Sequence, residues 1–205
     1  METNFTTIQE HQTPNSSMRR MYTVNIYGNR VLTTVTRRAL IVRQWLARIR
    51  NKNRYKWGKR FTVGLGVQWN PSSRSNRVAT LQLCVGSRCL IFQICRANGI
   101  PRVLRNFLSD GRATFVGVRN YSDAELLYRD YKLEVKHVLE LGSVAGCRGF
   151  SMERLASLVL EFDGVRKSES VGRSEWDQRE LDDDQVEYAC VDAFISFEIG
   201  RKLKV

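Results

Sequence analysis

The sequence predicts an α/β fold in which a mixed sheet of about five strands carries helices on both faces. Three observations predict it. Segments 61–69, 79–85 and 89–95 are short apolar runs separated by turn residues, three successive strands of an antiparallel meander. After residue 100 the pattern changes to strands alternating with helices, which calls for a layered sheet and not a sandwich. The composition is globular, 42% hydrophobic and 26% charged over 205 residues, enough for one domain and too little for two.

The elements follow in chain order. Residues 1–20 are rich in Thr, Asn, Gln and Ser and are expected to form a disordered tail. Residues 21–205 are expected to form one domain. Segments 22–27 and 31–36 are β-branched and aromatic, and Gly28-Asn29 between them is hairpin chemistry. Val42, Trp45, Leu46 and Ile49 then fall on one helical stripe, with Arg43, Arg50 and Arg54 on the other side as a basic ridge. This hairpin and helix, residues 21–60, are read as decoration on the sheet. Phe61–Trp69 is a buried strand, and 70–76, with Pro71, is a loop. In 79–85 apolar residues alternate with Thr80, Gln82 and Cys84, the period of a half-buried strand. Residues 103–108 form a short helix and 114–118 a strand. A helix over 122–131 follows, with Ser122 and Glu125 at the spacing of a capping box. A strand over 135–141 and helices near 151–160 and over Asp183–Lys202 complete the chain. Between the last two helices, 161–181 is charged and irregular around Trp176.

No run is apolar for the length of a membrane span, and residues 1–12 lack the apolar core of a signal peptide. A nuclear or cytoplasmic protein with no membrane partner is the expectation. The five cysteines, Cys84, Cys89, Cys95, Cys147 and Cys190, are odd in number and form no CxxC pair, so metal ligation by thiolates is not expected. Their apolar settings predict reduced core residues, although Cys84 and Cys89 flank a turn and could face each other as a disulfide.

The charge is uneven. The formal net charge is +12, and residues 1–60 hold 13 Lys/Arg against 2 Asp/Glu. Clustered cations of this kind favour a polyanion, because binding to phosphates releases counterions. Aromatic residues interleave with the cations at Arg54, Trp57, Lys59 and Arg60, and an aromatic side chain there can stack on a base.

Near the C-terminus, Tyr188 and Asp192 stand at i and i+4 of a helix and share a face. A carboxylate that can hold a divalent ion beside a phenol that can orient water suits phosphodiester hydrolysis; an ordinary surface pair has the same spacing. The surrounding pattern, Lys167-Ser168, Ser174-Glu175-Trp176, Leu181, Gln185, Tyr188 and Asp192-Ala193, resembles the third motif of the Werner-type 3′-5′ exonuclease domain. That domain belongs to the DnaQ-like, ribonuclease-H-like nucleases. The strand around Val63-Gly64-Leu65-Gly66-Val67-Gln68-Trp69 is similar to its first motif, in a form like that of a plant branch. Phe115-Val116-Gly117-Val118 with Asp123 is similar to its second.

The resemblance implies a ribonuclease-H-like sheet and a nucleic-acid partner presented by its 3′ end, DNA or RNA. It implies a site of four carboxylates and a tyrosine around two divalent ions, Mg²⁺ or Mn²⁺, about 4 Å apart. Asp123, Tyr188 and Asp192 match that site, with Asp123 and Asp192 as metal ligands. At the two first-motif positions where it implies Asp and Glu, this chain has Gly66 and Gln68. Each missing charge beside a divalent ion is worth up to roughly 8 kcal/mol at an effective dielectric of ~20 and ~4 Å, before solvation. Two outcomes stay open: a nucleic-acid-binding member with impaired or lost catalysis and no cofactor, or an active exonuclease with a substitute ligand. Homo- or hetero-oligomers are compatible with either.

Overall fold

The computed structural model describes residues 6–12, 18–52, 60–165 and 167–205. Eight strands form one mixed sheet: β1 (Thr6–His11), β2 (Arg20–Ile26), β3 (Asn29–Thr36), β4 (Phe61–Trp69), β5 (Val78–Val85), β6 (Arg88–Phe92), β7 (Ala113–Gly117) and β8 (Val138–Glu140). Their order across the sheet is β1-β2-β3-β6-β5-β4-β7-β8. The expected meander is there, as β4, β5 and β6 pair antiparallel. β3–β6, β4–β7 and β7–β8 are parallel, which makes the sheet mixed.

The count of about five strands is too low because the N-terminal hairpin is part of the sheet. β3 pairs with β6, Leu32 opposite Arg88 through Thr36 opposite Phe92. β1 extends this edge by pairing with β2 along its whole length, so residues 6–11 are ordered where the composition predicts a tail. A short polar strand reads as disorder in isolation because its backbone partners lie elsewhere in the chain. The hairpin turn is Tyr27-Gly28, one residue earlier than expected. Both residues have positive φ, 48° and 78°, as a two-residue primed turn requires.

Two layers of helix cover the sheet. On one side lie α1 (Ala39–Lys52), α2 (Arg102–Leu108) and α3 (Asn120–Tyr131). The α1 stripe of Val42, Trp45, Leu46 and Ile49 is buried here with Val63, Leu65, Val67, Leu81 and Leu83. On the other side lies α7 (Asp183–Lys202) with α4 (Leu141–Val144), α5 (Met152–Leu155) and α6 (Glu169–Gly172). β5 is therefore buried on both faces, not half-buried: Thr80, Gln82 and Cys84 lie under the second layer.

Local chemistry sets the helix ends. Asp182 and Gln185 cap α7 reciprocally. The Ser122–Glu125 box does not form. Helix α3 begins earlier, after Arg119 in the left-handed region, and the Asn120 N–H donates to Glu140 Oε2 at 2.9 Å instead. The stretch expected as one helix over 151–160 is α5 followed by a π-helical turn, Ala156–Leu160. All five cysteines are free thiols. Cys84 and Cys89 do face each other across β5 and β6, and Cys190 of α7 joins Thr33 below them, its Sγ 3.0 Å from Thr33 Oγ1.

Candidate active site

The site begins at the seat of α7 on β4. Strand alternation points Gly64, Gly66 and Gln68 toward the helix. A Cβ on Gly64 would overlap the Ala193 carbonyl oxygen and lie 2.9 Å from the Phe197 nitrogen. Further along, a Cβ on Gly200 would lie 2.8 Å from Thr62 Cγ2. Glycine at these points lets helix and strand meet backbone to backbone, and this brings Asp192 over Gly66. A Cβ on Gly66 would lie 3.3 Å from Asp192 Oδ2 and 3.2 Å from Gln82 Oε1.

Helix α3 brings the second carboxylate. Its C-terminal end is tied to the start of β5: Asp130 Oδ2 accepts from the Val78 N–H at 2.8 Å, and the Tyr131 hydroxyl donates to the Val78 carbonyl at 2.6 Å. At its other end Asp123 reaches β4 and accepts a hydrogen bond from the Val67 N–H. Burial, and then the negative charge of Asp192, holds the Asp123 carboxyl well above the usual carboxylate range. Lys167 opposes the shift and Glu140 adds to it, so all four groups share one electrostatic neighbourhood.

Tyr188 and Asp192 share a face of α7 as the spacing requires. The Tyr188 ring packs on Trp176, centroids 5.8 Å apart, and α6 closes against it, since a Cβ on Gly172 would lie 2.8 Å from the phenol oxygen. Trp176 is fully buried and its indole N–H donates to the Gly172 carbonyl. Lys167, just before α6, puts its ammonium 2.7 Å from Asp192 Oδ1 and 4.7 Å from the centre of the Tyr188 ring. Burial works against this ammonium, but Asp192 outweighs it and raises the lysine above its ordinary range.

Asp123, Tyr188, Asp192 and Gly66 thus converge on one cleft, and Gln68, 8% exposed, lies one alternation along β4 on the same side. Three contributors carry no chemical role in the sequence pattern. Lys167 stands in the third-motif stretch without one. Glu140 precedes a four-residue helix and has no spacing signal. Gln82 meets Gly66 only through the β4–β5 register. Its Nε2 donates to Thr80 Oγ1 at 2.6 Å, while its Oε1 is buried with no partner among the described residues.

The basic residues do not gather into one ridge. Arg43 is exposed on α1 and Arg60 is exposed just before β4. Arg50 departs from the expectation: it is half-buried and close enough to Asp110 to lower that carboxyl, because the end of α1 turns this face toward α2. Arg54, Trp57 and Lys59 lie outside the described residues.

The sequence pattern of the family described as 3'-5' exonuclease matches residues 62–205. The chain belongs to the 3′-5′ exonuclease family. A 3'-5' exonuclease of Arabidopsis thaliana is 31% identical over 192 residues, covering 87% of this chain and 65% of its own. The human Exonuclease 3'-5' domain-containing protein 2 is 35% identical over 147 residues, 65% of this chain and 24% of its own. The mouse Bifunctional 3'-5' exonuclease/ATP-dependent helicase WRN is 31% identical over 150 residues, 69% of this chain and 11% of its own. This chain therefore spans about two thirds of the plant relative and a much smaller part of the others. Among solved structures, the EXD2 exonuclease domain soaked in Mn superposes with a TM-score of 0.50 at 27% identity, over 84% of this chain and 89% of that one. The family's ribonuclease-H-like mixed sheet is thus the fold of this chain, with eight strands.

Proposed function

We propose that this chain is a nucleic-acid-binding member of the 3′-5′ exonuclease family that engages 3′ ends of DNA or RNA and whose hydrolytic activity is weak or absent. The observation that carries the reading is the surface of β4 beneath Asp192. Where the family resemblance implies two carboxylates, Gly66 contributes no side chain and Gln68 a neutral amide. Two divalent ions bring four positive charges, and Asp123 with Asp192 bring two negative ones. Among the described residues, no group of three His, Cys, Asp or Glu side chains is placed to hold a metal ion. The donor set does not fit a two-metal site, so no hydrolytic step is drawn through one. What the residues supply is a cleft. Asp123 is fixed by the Val67 N–H, Asp192 by the seat of α7, and the phenol of Tyr188 stands beside them.

One observation favours the alternative of an active enzyme. The unpartnered Gln82 Oε1 and Asp192 Oδ2 both border the space above Gly66, and a neutral oxygen there is a substitute ligand for a single ion. The deciding experiment uses a 3′-labelled DNA or RNA strand with Mg²⁺ or Mn²⁺. Retention of the label, together with salt-sensitive binding of the strand, supports the proposal. Robust metal-dependent release abolished by Asp192→Ala favours the alternative.

A further inference from the structure

We infer that Lys167 is the resident counter-ion of this cleft, an ammonium built into the fold where a metal-dependent nuclease needs a divalent cation, so that the cleft is assembled and binds nucleic acid without metal. The inference rests on the reading above that catalysis is weak or absent.

The geometry is that of a placed group and not of a wandering surface lysine. The Lys167 and Asp192 side chains are only 19% and 14% exposed, and their charged atoms meet at 2.7 Å. The ammonium also lies over the Tyr188 ring at 4.7 Å, a cation–π contact that adds to the ion pair. The backbone that presents it is fixed. Ser168 caps α6 by accepting from the Val171 N–H. Gln185 of α7 donates to Ser174 Oγ at 2.8 Å, and Trp176 anchors the segment in the core.

A buried carboxylate needs a cation or a proton. Asp192 has its cation from its own chain, and the same charge reaches Asp123. Lys167 therefore does what a metal ion would do for the folded state: it holds two carboxylates in one cleft against their repulsion. It also opposes metal entry, because a divalent ion on Asp192 would sit beside a fixed positive charge already bonded to that carboxylate. Two neutral residues on β4 and an internal cation on the opposite wall shift the charge balance in the same direction.

The test is Mn²⁺ uptake by the full chain, read from the loss of the free-ion electron paramagnetic resonance signal, with thermal unfolding in EDTA and in Mn²⁺. Asp192→Asn run in parallel subtracts ions bound elsewhere. The expected result is no Asp192-dependent uptake by the wild type, and a melting temperature and strand affinity that EDTA leaves unchanged. Lys167→Met should melt lower in EDTA, recover on adding Mn²⁺, and bind the ion at least tenfold more tightly than the wild type. Lys167→Arg keeps the charge and should behave like the wild type. If Lys167→Met does not fold, the wild-type and Lys167→Arg titrations still decide. Asp192-dependent Mn²⁺ uptake by a wild type that does not hydrolyse the strand overturns the role of Lys167 and leaves the functional reading standing. Uptake together with robust hydrolysis overturns both.

Discussion

Gly64 and Ala193 meet with no space for a side chain between them, and this contact sets where Asp192 stands. A methyl group on Gly64 would overlap the Ala193 carbonyl oxygen, which belongs to helix backbone and cannot rotate away. Gly64→Ala should therefore cost about 1–3 kcal/mol or more by lifting α7 from β4. Gly66→Ala should cost less, because its nearest neighbours, Gln82 Oε1 and Asp192 Oδ2, are side-chain ends that can shift by the needed tenths of an ångström. Urea unfolding of the two variants checks the order; equal losses would contradict it.

Restoring carboxylates should restore metal chemistry. Gly66→Asp with Gln68→Glu places two acids on the α7 side of β4, facing Asp192. Metal-dependent release of 3′ nucleotides should rise by more than tenfold, and either single change should do much less, since ligands of one site act as a unit. The double variant should also melt lower in EDTA than in Mn²⁺, because the new acids join Asp123 and Asp192. A double variant as inactive as the wild type, yet folded, would remove the first-motif positions from the explanation.

Affinity for nucleic acid should fall steeply with salt, and the basic positions should divide into two kinds. Arg43 and Arg48 are exposed on α1, so replacing each with Ala should flatten the salt slope by roughly one unit for every phosphate left unneutralised and leave stability nearly unchanged. Arg50, half-buried near Asp110, should lower the melting temperature when replaced. Affinity indifferent to salt would refute the electrostatic account.

Asp130 supplies a pH dependence. Burial raises its carboxyl, but the Arg129 ion pair and the Val78 N–H outweigh burial and hold it below the ordinary range. A depressed folded pKa stabilises the protein above the unfolded value of about 3.9, and that contribution disappears as pH falls through the folded value. Asp130→Asn should cost about 1–2 kcal/mol near neutral pH. The gap to wild type should hold steady above about pH 5 and close below about pH 4. A gap that widens in acid would reverse the sign and refute the assignment.

The thiols should react in two classes. Burial raises the thiols of Cys84 and Cys190, and Cys89 is buried beside them, whereas Cys95 and Cys147 are half-buried. A chromogenic disulfide reagent should titrate Cys95 and Cys147 in the folded protein and all five thiols only after unfolding. A total of three in denaturant without reductant would reveal a bridge.

The strands of the meander and the α1 stripe were legible because each carries its period in consecutive residues. So was the pairing of Tyr188 with Asp192, which needs only the helical repeat. The position of Asp123 relative to Asp192 was legible only through the family resemblance, because two helices on opposite sides of the sheet deliver them. Gln82 was not legible, since its meeting with Gly66 depends on the register of β4 and β5. The ion pair between Lys167 and Asp192 spans 25 residues of irregular chain, where periodicity carries no information. The apparent capping box at Ser122 misled for a physical reason: a side chain from β8, Glu140, satisfies the helix start that a local serine was expected to serve.

The pairing of β3 with β6 means that the family match and the folding unit have different borders. The matched stretch opens at residue 62, but a chain cut there would strip β6 of its partner strand and bare a row of backbone donors and acceptors beside Ile91 and Phe92. Such an open border invites a second copy to dock as a replacement strand. A fragment trimmed to the homologous region would then self-associate, and an oligomer measured on it would be a property of the cut.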